Sequence, residues 1–407
     1  MNDVTLRFRI PHSAFRIVAV ALSILAILIA TLRPAGTDLA PGWSFALIQG
    51  DEGISGVLEN IILFVPFGVA LALGRWSTAA VRLVALGTAL SFCVEFAQQW
   101  IPGRDPSLSD LLFNTLGTAT GVAIARTAPR WLAPPAPLAA WLALATALAA
   151  AAVWLGTGWL LRPMLPAADA IESWTPDLGS HMDLYAGRVL AVTGRLGHAE
   201  PVRIALVASP PPGRFAPLLD VDDGPWPAGT IVAVDRTDLV LRNRSRSMYW
   251  GLDRPDLRAR GALAGIAPGD TVTVTAWTEG KAFCLALDNR RWCGLGYTMG
   301  DGWKLIFYPE HFPAGALGLL NALWLAGWCL GVGWWAQRAR RHPATGAALV
   351  VVALTLLLGP GLVGLLATPV GEMLGVMAGV GIGWLVRRAA CGVRGVSLSF
   401  AERATLH

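Results

Sequence analysis

The sequence predicts a polytopic α-helical membrane protein of about eight transmembrane helices, with an all-β sandwich domain inserted between the fifth and the sixth. Three observations carry that prediction. Hydrophobic residues make up 54% of the 407 and charged residues only 14%, with a mean hydropathy of +0.53, well above an ordinary soluble domain. Apolar runs long enough to cross about 30 Å of hydrocarbon recur along the chain. Between them, residues 162–312 switch to a polar stretch in which apolar and polar residues alternate, the period of a half-buried strand. Eighteen tryptophans fit many helix ends at lipid interfaces.

The expected spans lie near 15–32, 57–73, 83–101, 108–125, 138–161, 313–335, 345–367 and 369–386. The first is too long for a secretory signal and lacks its small-residue cleavage site, so it is expected to stay as an anchor. Arginines orient the set. Arg7, Arg9 and Arg16 precede span one, Arg75 and Arg82 follow span two, and Arg126 and Arg130 follow span four. Arg338, Arg340 and Arg341 follow span six, and Arg387, Arg388 and Arg394 follow span eight. With all of these in the cytoplasm every span alternates and the positive-inside rule holds throughout. The expectation is a multi-pass protein of the cytoplasmic (inner) membrane, both termini inside and residues 162–312 outside. Its domains would be a four-helix membrane domain over 1–130, a fifth helix over 131–161, the sandwich over 162–312, three further helices over 313–390 and a cytoplasmic tail over 391–407. The net charge of +5 is thus orientation chemistry; no basic stripe with interleaved aromatics suggests nucleic acid.

Within 162–312, "GRVLAVTGRL", "VRIALVAS", "GTIVAVDRTDLVLRNRS" and "DTVTVTAW" read as strands, separated by "SPPPGRF", "DDGPWPAG" and "IAPGD". In "CLALDNRRWC", Cys284 and Cys293 are symmetric about Asp288-Asn289, a dipeptide suited to a two-residue type I′ turn. Counting outward puts the two cysteines opposite one another at a closer, non-hydrogen-bonded pair. A cross-strand disulfide is expected, sustained only in an oxidising compartment; the alternative is two free buried thiols. Cys93, Cys329 and Cys391 lie in or near spans and read as inert packing.

The stretch "SFCVEFAQQWIPGRDPSLSDLLFNTLG" (91–117) concentrates polar side chains where membrane is expected. Thr88, Ser91, Glu95 and Gln98 share one face of span three, and Asp110, Asn114, Gly117 and Gly121 one face of span four. Glu95 and Asn114 both fall about 9 Å below the outer ends of their helices, so the two faces can meet. Span two adds Glu59 and Asn60 at its outer end, then Pro66, expected to kink it, and Gly68. Gly117 and Gly121 form a G-x-x-x-G step for close backbone approach. Asp105 before Pro106 reads as a helix N-cap, a catalytic role being the alternative. Arg104 is either an interfacial arginine or an anion contact. Glu95, an ionisable group inside a span, is a functional candidate by default; otherwise Glu95, Gln98 and Asn114 form a buried network that holds helices together.

At these residues the sequence resembles the VanZ-like family of bacterial membrane proteins. The pattern is "ENIILFVPFG" (59–68), Glu95-x-x-Gln98, Gly103-Arg104 and Asp110-x-x-x-Asn114-x-x-Gly117, within about residues 14–126. The resemblance implies an envelope protein with polar residues near its outer face and, through the founding member, lowered sensitivity to the lipoglycopeptide antibiotic teicoplanin. It supplies no proven reaction, so no catalytic role is carried over. The β segment, ending in "GWKLIFYPEHFP", resembles a concanavalin or laminin-G type jelly roll.

Enzyme signatures are missing. Lys281 and Lys304 are the only lysines and neither closes a phosphate loop; the six histidines have no metal-ligand spacing; no G-x-S-x-G elbow occurs. Asp220, Asp222 and Asp223 read as a solvated acidic turn rather than a calcium site. No metal or other cofactor is expected. Three readings follow. In the first, the pocket takes the head group of a membrane lipid or lipid-linked cell-wall precursor. Arg104 would contact phosphate or carboxylate, and Asn60, Gln98 and Asn114 would hydrogen-bond the rest, with Glu59, Glu95 and Asp110 lining the site; the β domain would bind glycan. In the second, Glu95 and Asp110 form an acid/base pair acting on a lipid-linked substrate. In the third, the helices are a structural module supporting the β domain.

Overall fold

The computed structural model describes residues 12–35, 39, 42–47, 53–73, 77–167, 170–179, 182–194, 201–222 and 229–404. Arg7, Arg9, Arg75 and Asp223 lie outside the described residues. The chain divides into two compact units, Met1–Ala139 with Trp250–Leu252, and Ala140–Tyr249 with Asp253–His407.

The first unit is built on α1 (His12–Thr31), α2 (Gly53–Ala72), α3 (Ala80–Gln98) and α4 (Leu108–Leu132). Its core is Ile27, Phe64, Phe67, Leu71, Leu83, Val94 and Val122, contributed by all four helices. The α2–α4 contact is set by glycines. A β-carbon at Gly117 would collide with the Ile61 carbonyl, one at Gly121 with the Val65 carbonyl, and one at Gly68 with the Thr118 carbonyl. The G-x-x-x-G step therefore faces α2 and brings two backbones together. α2 continues through Pro66 without a break, and Pro66 is exposed.

The second unit contains α5 (Ala136–Leu161) from Ala140 onward, twelve strands, and α6 (Leu317–Arg338), α7 (Pro343–Val363) and α8 (Val370–Ala404). Among the described residues seven helices are long and apolar enough to cross a membrane. The exception to the eight expected is α4: its 25 residues are long enough, but Asp110, Asn114, four threonines, Arg126 and Arg130 lower its apolarity. Two further ends differ from expectation. α7 stops at Val363 because Gly364 takes a left-handed conformation, φ 80°, and donates back to Pro360 O. α8 continues past 386 to Ala404.

The strands are β1 (Pro163–Met164), β2 (Ile171–Trp174), β3 (Arg188–Thr193), β4 (Val202–Val207), β5 (Ala216–Asp222), β6 (Thr230–Asp235), β7 (Asp238–Arg242), β8 (Arg244–Ser245), β9 (Leu257–Ala259), β10 (Thr271–Glu279), β11 (Ala282–Leu287) and β12 (Arg290–Leu295). They form two five-stranded antiparallel sheets, β12-β11-β10-β4-β3 and β2-β5-β6-β7-β9, and a small β1-β8 pair; no barrel closes. Each segment read as a strand contains one among the described residues, while β1, β2, β5 and β9 went unread. The inward rows of both sheets, including Ile204, Leu206, Leu218, Leu239, Val274 and Leu285, share one core with Trp154 of α5, Leu325 of α6 and Leu356 of α7. A smaller cluster of Phe215, Ile231, Ala233 and Val240 forms on the other face of the second sheet, without these helices.

The disulfide expectation holds. Leu287 pairs with Arg290 across Asp288-Asn289, Asp288 has φ 51°, and Cys284 and Cys293 are bonded with Cα atoms 4.2 Å apart. A bulge between Phe283 and Leu285 absorbs Gly294, φ 76°. Cys93 is a free exposed thiol and Cys329 a free buried one.

Candidate functional site at the ends of the first four helices

The entry to α4 organises the site. Its N-cap is Ser107, whose hydroxyl accepts from Asp110 N at 3.0 Å. This corrects the expectation at Asp105, which is exposed and two residues too early. The reason is tertiary: Pro106 O accepts from Ser44 N, and Leu108 N donates to Ser44 O, each at 2.9 Å, so residues 106–108 are held extended beside the 44–47 segment. Ser109 Oγ donates to Leu47 O at 2.7 Å.

Two layers of polar side chains result. The deep layer is Ser91, Glu95, Gln98 and Asn114, each no more than 5% exposed. Glu95 Oε2 accepts the Ser107 N–H at 3.0 Å, Asn114 Nδ2 donates to Ser91 Oγ at 3.0 Å, and Gln98 Nε2 donates to Thr31 O at 3.1 Å. Below them Thr115 Oγ1 meets Thr88 Oγ1 at 3.1 Å. The polar faces of α3 and α4 therefore meet as their spacing predicts. They do so in separate pairs rather than as one Glu95–Gln98–Asn114 network. Asn114 Oδ1 is left buried without a partner.

The outer layer is Glu59, Asn60, Arg104 and Asp110, all half-buried. Asn60 Nδ2 donates to Asp110 Oδ1 at 2.8 Å, so α2 and α4 are tied one residue from the Ile61 carbonyl that rests on Gly117. Ser107 links the layers, donating its N–H to Glu95 and accepting the Asp110 N–H at its hydroxyl oxygen. Arg104 follows Gly103, whose φ of 72° a side chain would resist. Its Nε and Nη2 donate to Arg33 O and Ala30 O, both at 2.9 Å, which places a cation on the last carbonyls of α1. Burial pulls its pKa down from the ordinary value, while Glu59 and Asp110 oppose that. Nη1 makes no hydrogen bond among the described residues, so part of the guanidinium fork stays open beside two carboxylates.

The second unit holds a buried polar cluster that sequence reasoning missed. Glu372 of α8 accepts from Thr298 Oγ1, from Gly300 N at 3.1 Å and from Asn321 Nδ2 of α6 at 3.1 Å. Asn321 Nδ2 also reaches Asp301 Oδ1 at 2.9 Å, and its oxygen accepts from Trp303 Nε1 at 2.8 Å. Lys304 pairs with Asp301. Two signals were available: Thr298-x-x-Asp301 is a capping-box pattern, and Glu372 sits in an apolar run as Glu95 does. The cluster pins the turn Met299–Leu305 to α6 and α8. Among the described residues the sole group with metal-ligand spacing is Glu279 with Cys284 and Cys293, and the disulfide has taken both sulfurs.

Residues 11–129, less than a third of the chain, match a family model described as VanZ/LLP1. No curated protein matches the chain, and no solved structure does. The match covers α1 to α4 and every residue of the two polar layers, so residues 11–129 of this chain are a VanZ-like domain.

Proposed function

We propose that this is a multi-pass cytoplasmic-membrane protein whose VanZ-like domain holds the polar head group of a lipid or lipid-linked cell-wall component at the outer membrane–water boundary. Lowered glycopeptide sensitivity is its cellular readout. The family match supports an envelope protein with that link. The formed Cys284–Cys293 disulfide and the clustering of arginines at one set of helix ends support cytoplasmic termini with the β domain outside.

One observation carries the binding reading: Arg104 is fixed by two backbone carbonyls yet keeps Nη1 open in a half-buried position, ready for a phosphate or carboxylate oxygen. Asn60, Asp110 and Glu59 lie around it as the neutral and acidic part of the rim. The acid/base reading has less support, because Glu95 is 1% exposed and spends Oε2 on a backbone N–H. The deep layer reads best as the frame that positions the outer one.

Cells expressing the wild type and its Arg104→Lys and Glu95→Gln variants test this by their sensitivity to a lipoglycopeptide. Lysine keeps the charge but loses the fork, so Arg104→Lys should abolish any protection, while Glu95→Gln should retain most of it. Protection abolished by Glu95→Gln at normal folding and expression would favour catalysis instead.

A further inference from the structure

The two large sheets of the sandwich are covered differently. In the β2-β5-β6-β7-β9 sheet both faces are buried: Val232, Leu239 and Leu241 enter the main core, while Ile231, Ala233 and Val240 on the other face lie under Phe215, Leu178 and Met182. In the β12-β11-β10-β4-β3 sheet only the face bearing Ile204, Val272, Val274 and Leu285 enters a core. Its opposite face is open along β4 and β10, where buried residues alternate with half-buried or exposed ones, while Cys284 and Ala286 of β11 on that face are buried.

The pairing register writes out that open face. Arg203 stands opposite Thr275, Thr275 opposite Ala286, and Ala286 opposite Arg291, so one row crosses four strands with an arginine at each end. Three strand spacings separate the two arginines by about 14 Å. A row away, Ala205 pairs with Thr273, and a third arginine, Arg188, pairs with Val207. Between the cations the floor is therefore alanine and threonine, low and hydroxylated. Trp277, next on this face of β10 after Thr275, rises at its edge, half-buried. Arg188, Arg203 and Arg291 are all exposed, and none has a hydrogen bond or ion pair among the described residues. The one acid on β10's open face, Glu279, accepts from Trp277 Nε1 at 2.9 Å.

We propose that this face binds an anionic glycan, a sugar chain carrying carboxylate, sulfate or phosphate groups. Arg203 and Arg291 grip anionic groups at either end of the row, the threonine hydroxyls meet sugar hydroxyls, and the Trp277 ring packs against a sugar face. Charge complementarity identifies the ligand class: three exposed arginines without acidic partners among the described residues stand around the alanine and threonine floor. The site is independent of the VanZ-like domain.

The test uses the full chain in nanodiscs of zwitterionic lipid, with dextran sulfate, neutral dextran and polyphosphate as probes, and anionic vesicles as a fourth. Dextran sulfate should bind and neutral dextran should not, and added salt should weaken binding. Arg203→Gln with Arg291→Gln should lower that affinity by about tenfold or more, the loss of at least one charge-assisted contact. Trp277→Leu should weaken dextran sulfate and leave polyphosphate unchanged. Both arginines are exposed, and unchanged melting would show the fold intact. Wild-type affinity in the double glutamine variant would overturn the proposal. So would polyphosphate or anionic vesicles binding as tightly as dextran sulfate with Trp277 indifferent.

Discussion

The contact between α2 and α4 makes the sharpest energetic prediction, because it can be tested with one methyl group. A β-carbon at Gly121 would stand 2.7 Å from Val69 N and 2.9 Å from Gly68 Cα, and closer still to the Val65 oxygen. All three are backbone atoms, which cannot rotate away, so the helices must separate. Gly56, on α2, has nothing within 4 Å of the same hypothetical atom. Alanine raises intrinsic helix propensity at either position, by up to about 1 kcal/mol. That gain cancels in the difference between the two variants, which isolates the overpacking cost of about 1–3 kcal/mol. Gly121→Ala should therefore be less stable than Gly56→Ala by that amount, with Gly56→Ala at or above the wild type. Reversible unfolding in mixed detergent–SDS micelles reads the difference. A Gly121→Ala protein as stable as Gly56→Ala would mean that the helices are not held at this separation, and that Asn60 need not reach Asp110.

Three other predictions follow from particular contacts. Removing the disulfide with Cys284→Ala and Cys293→Ala should cost about 2.5–3 kcal/mol for so short a loop; in the native protein thiol labelling should reach both positions only after reduction. Asp256, whose side chain is 1% exposed, is held by Arg242 at 2.6 Å and Arg258 at 3.0 Å. Burial, the largest influence, would raise its pKa, but the two arginines outweigh it and keep it below the ordinary carboxylate value. Its stabilisation is then complete above a pH of about 4 and lost as pH falls through the depressed value, and Asp256→Asn should cost about 3 kcal/mol near neutrality and progressively less in acid, measured by melting across pH. Ser107→Ala should cost about 1 kcal/mol through the lost cap, whereas Asp105→Ala should change nothing in the same melting assay.

Much of this was legible in the sequence, for identifiable reasons. Apolar length and arginine placement revealed the helices, since crossing a membrane demands about twenty apolar residues and tolerates few substitutes. The hairpin at Asp288-Asn289 was legible because a two-residue turn fixes register and so fixes which cysteines face each other, although only Asp288, and not Asn289, takes the positive φ that a type I′ turn requires of both. The polar stripe was found because its three- and four-residue spacing is that of a helix face. What stayed hidden depends on partners distant in sequence. Asp105 looked like the cap because local pattern favours Asp-Pro, yet the 44–47 segment holds the chain extended through Pro106 and hands the role to Ser107. Arg104 and Gln98 find their acceptors on α1, some seventy residues earlier. β5 was missed because "APLLDVD" carries apolar residues on both faces, which reads as no alternation; burial on both sides of its sheet explains why.

Mass spectrometry of the lipids that stay with the purified protein tests the central claim most directly. If Arg104 grips a head group, the wild type should retain a distinct phosphate- or carboxylate-bearing lipid, and Arg104→Lys, folded and equally stable, should lose it. Retention of the same lipid in equal amount by both proteins would contradict the account.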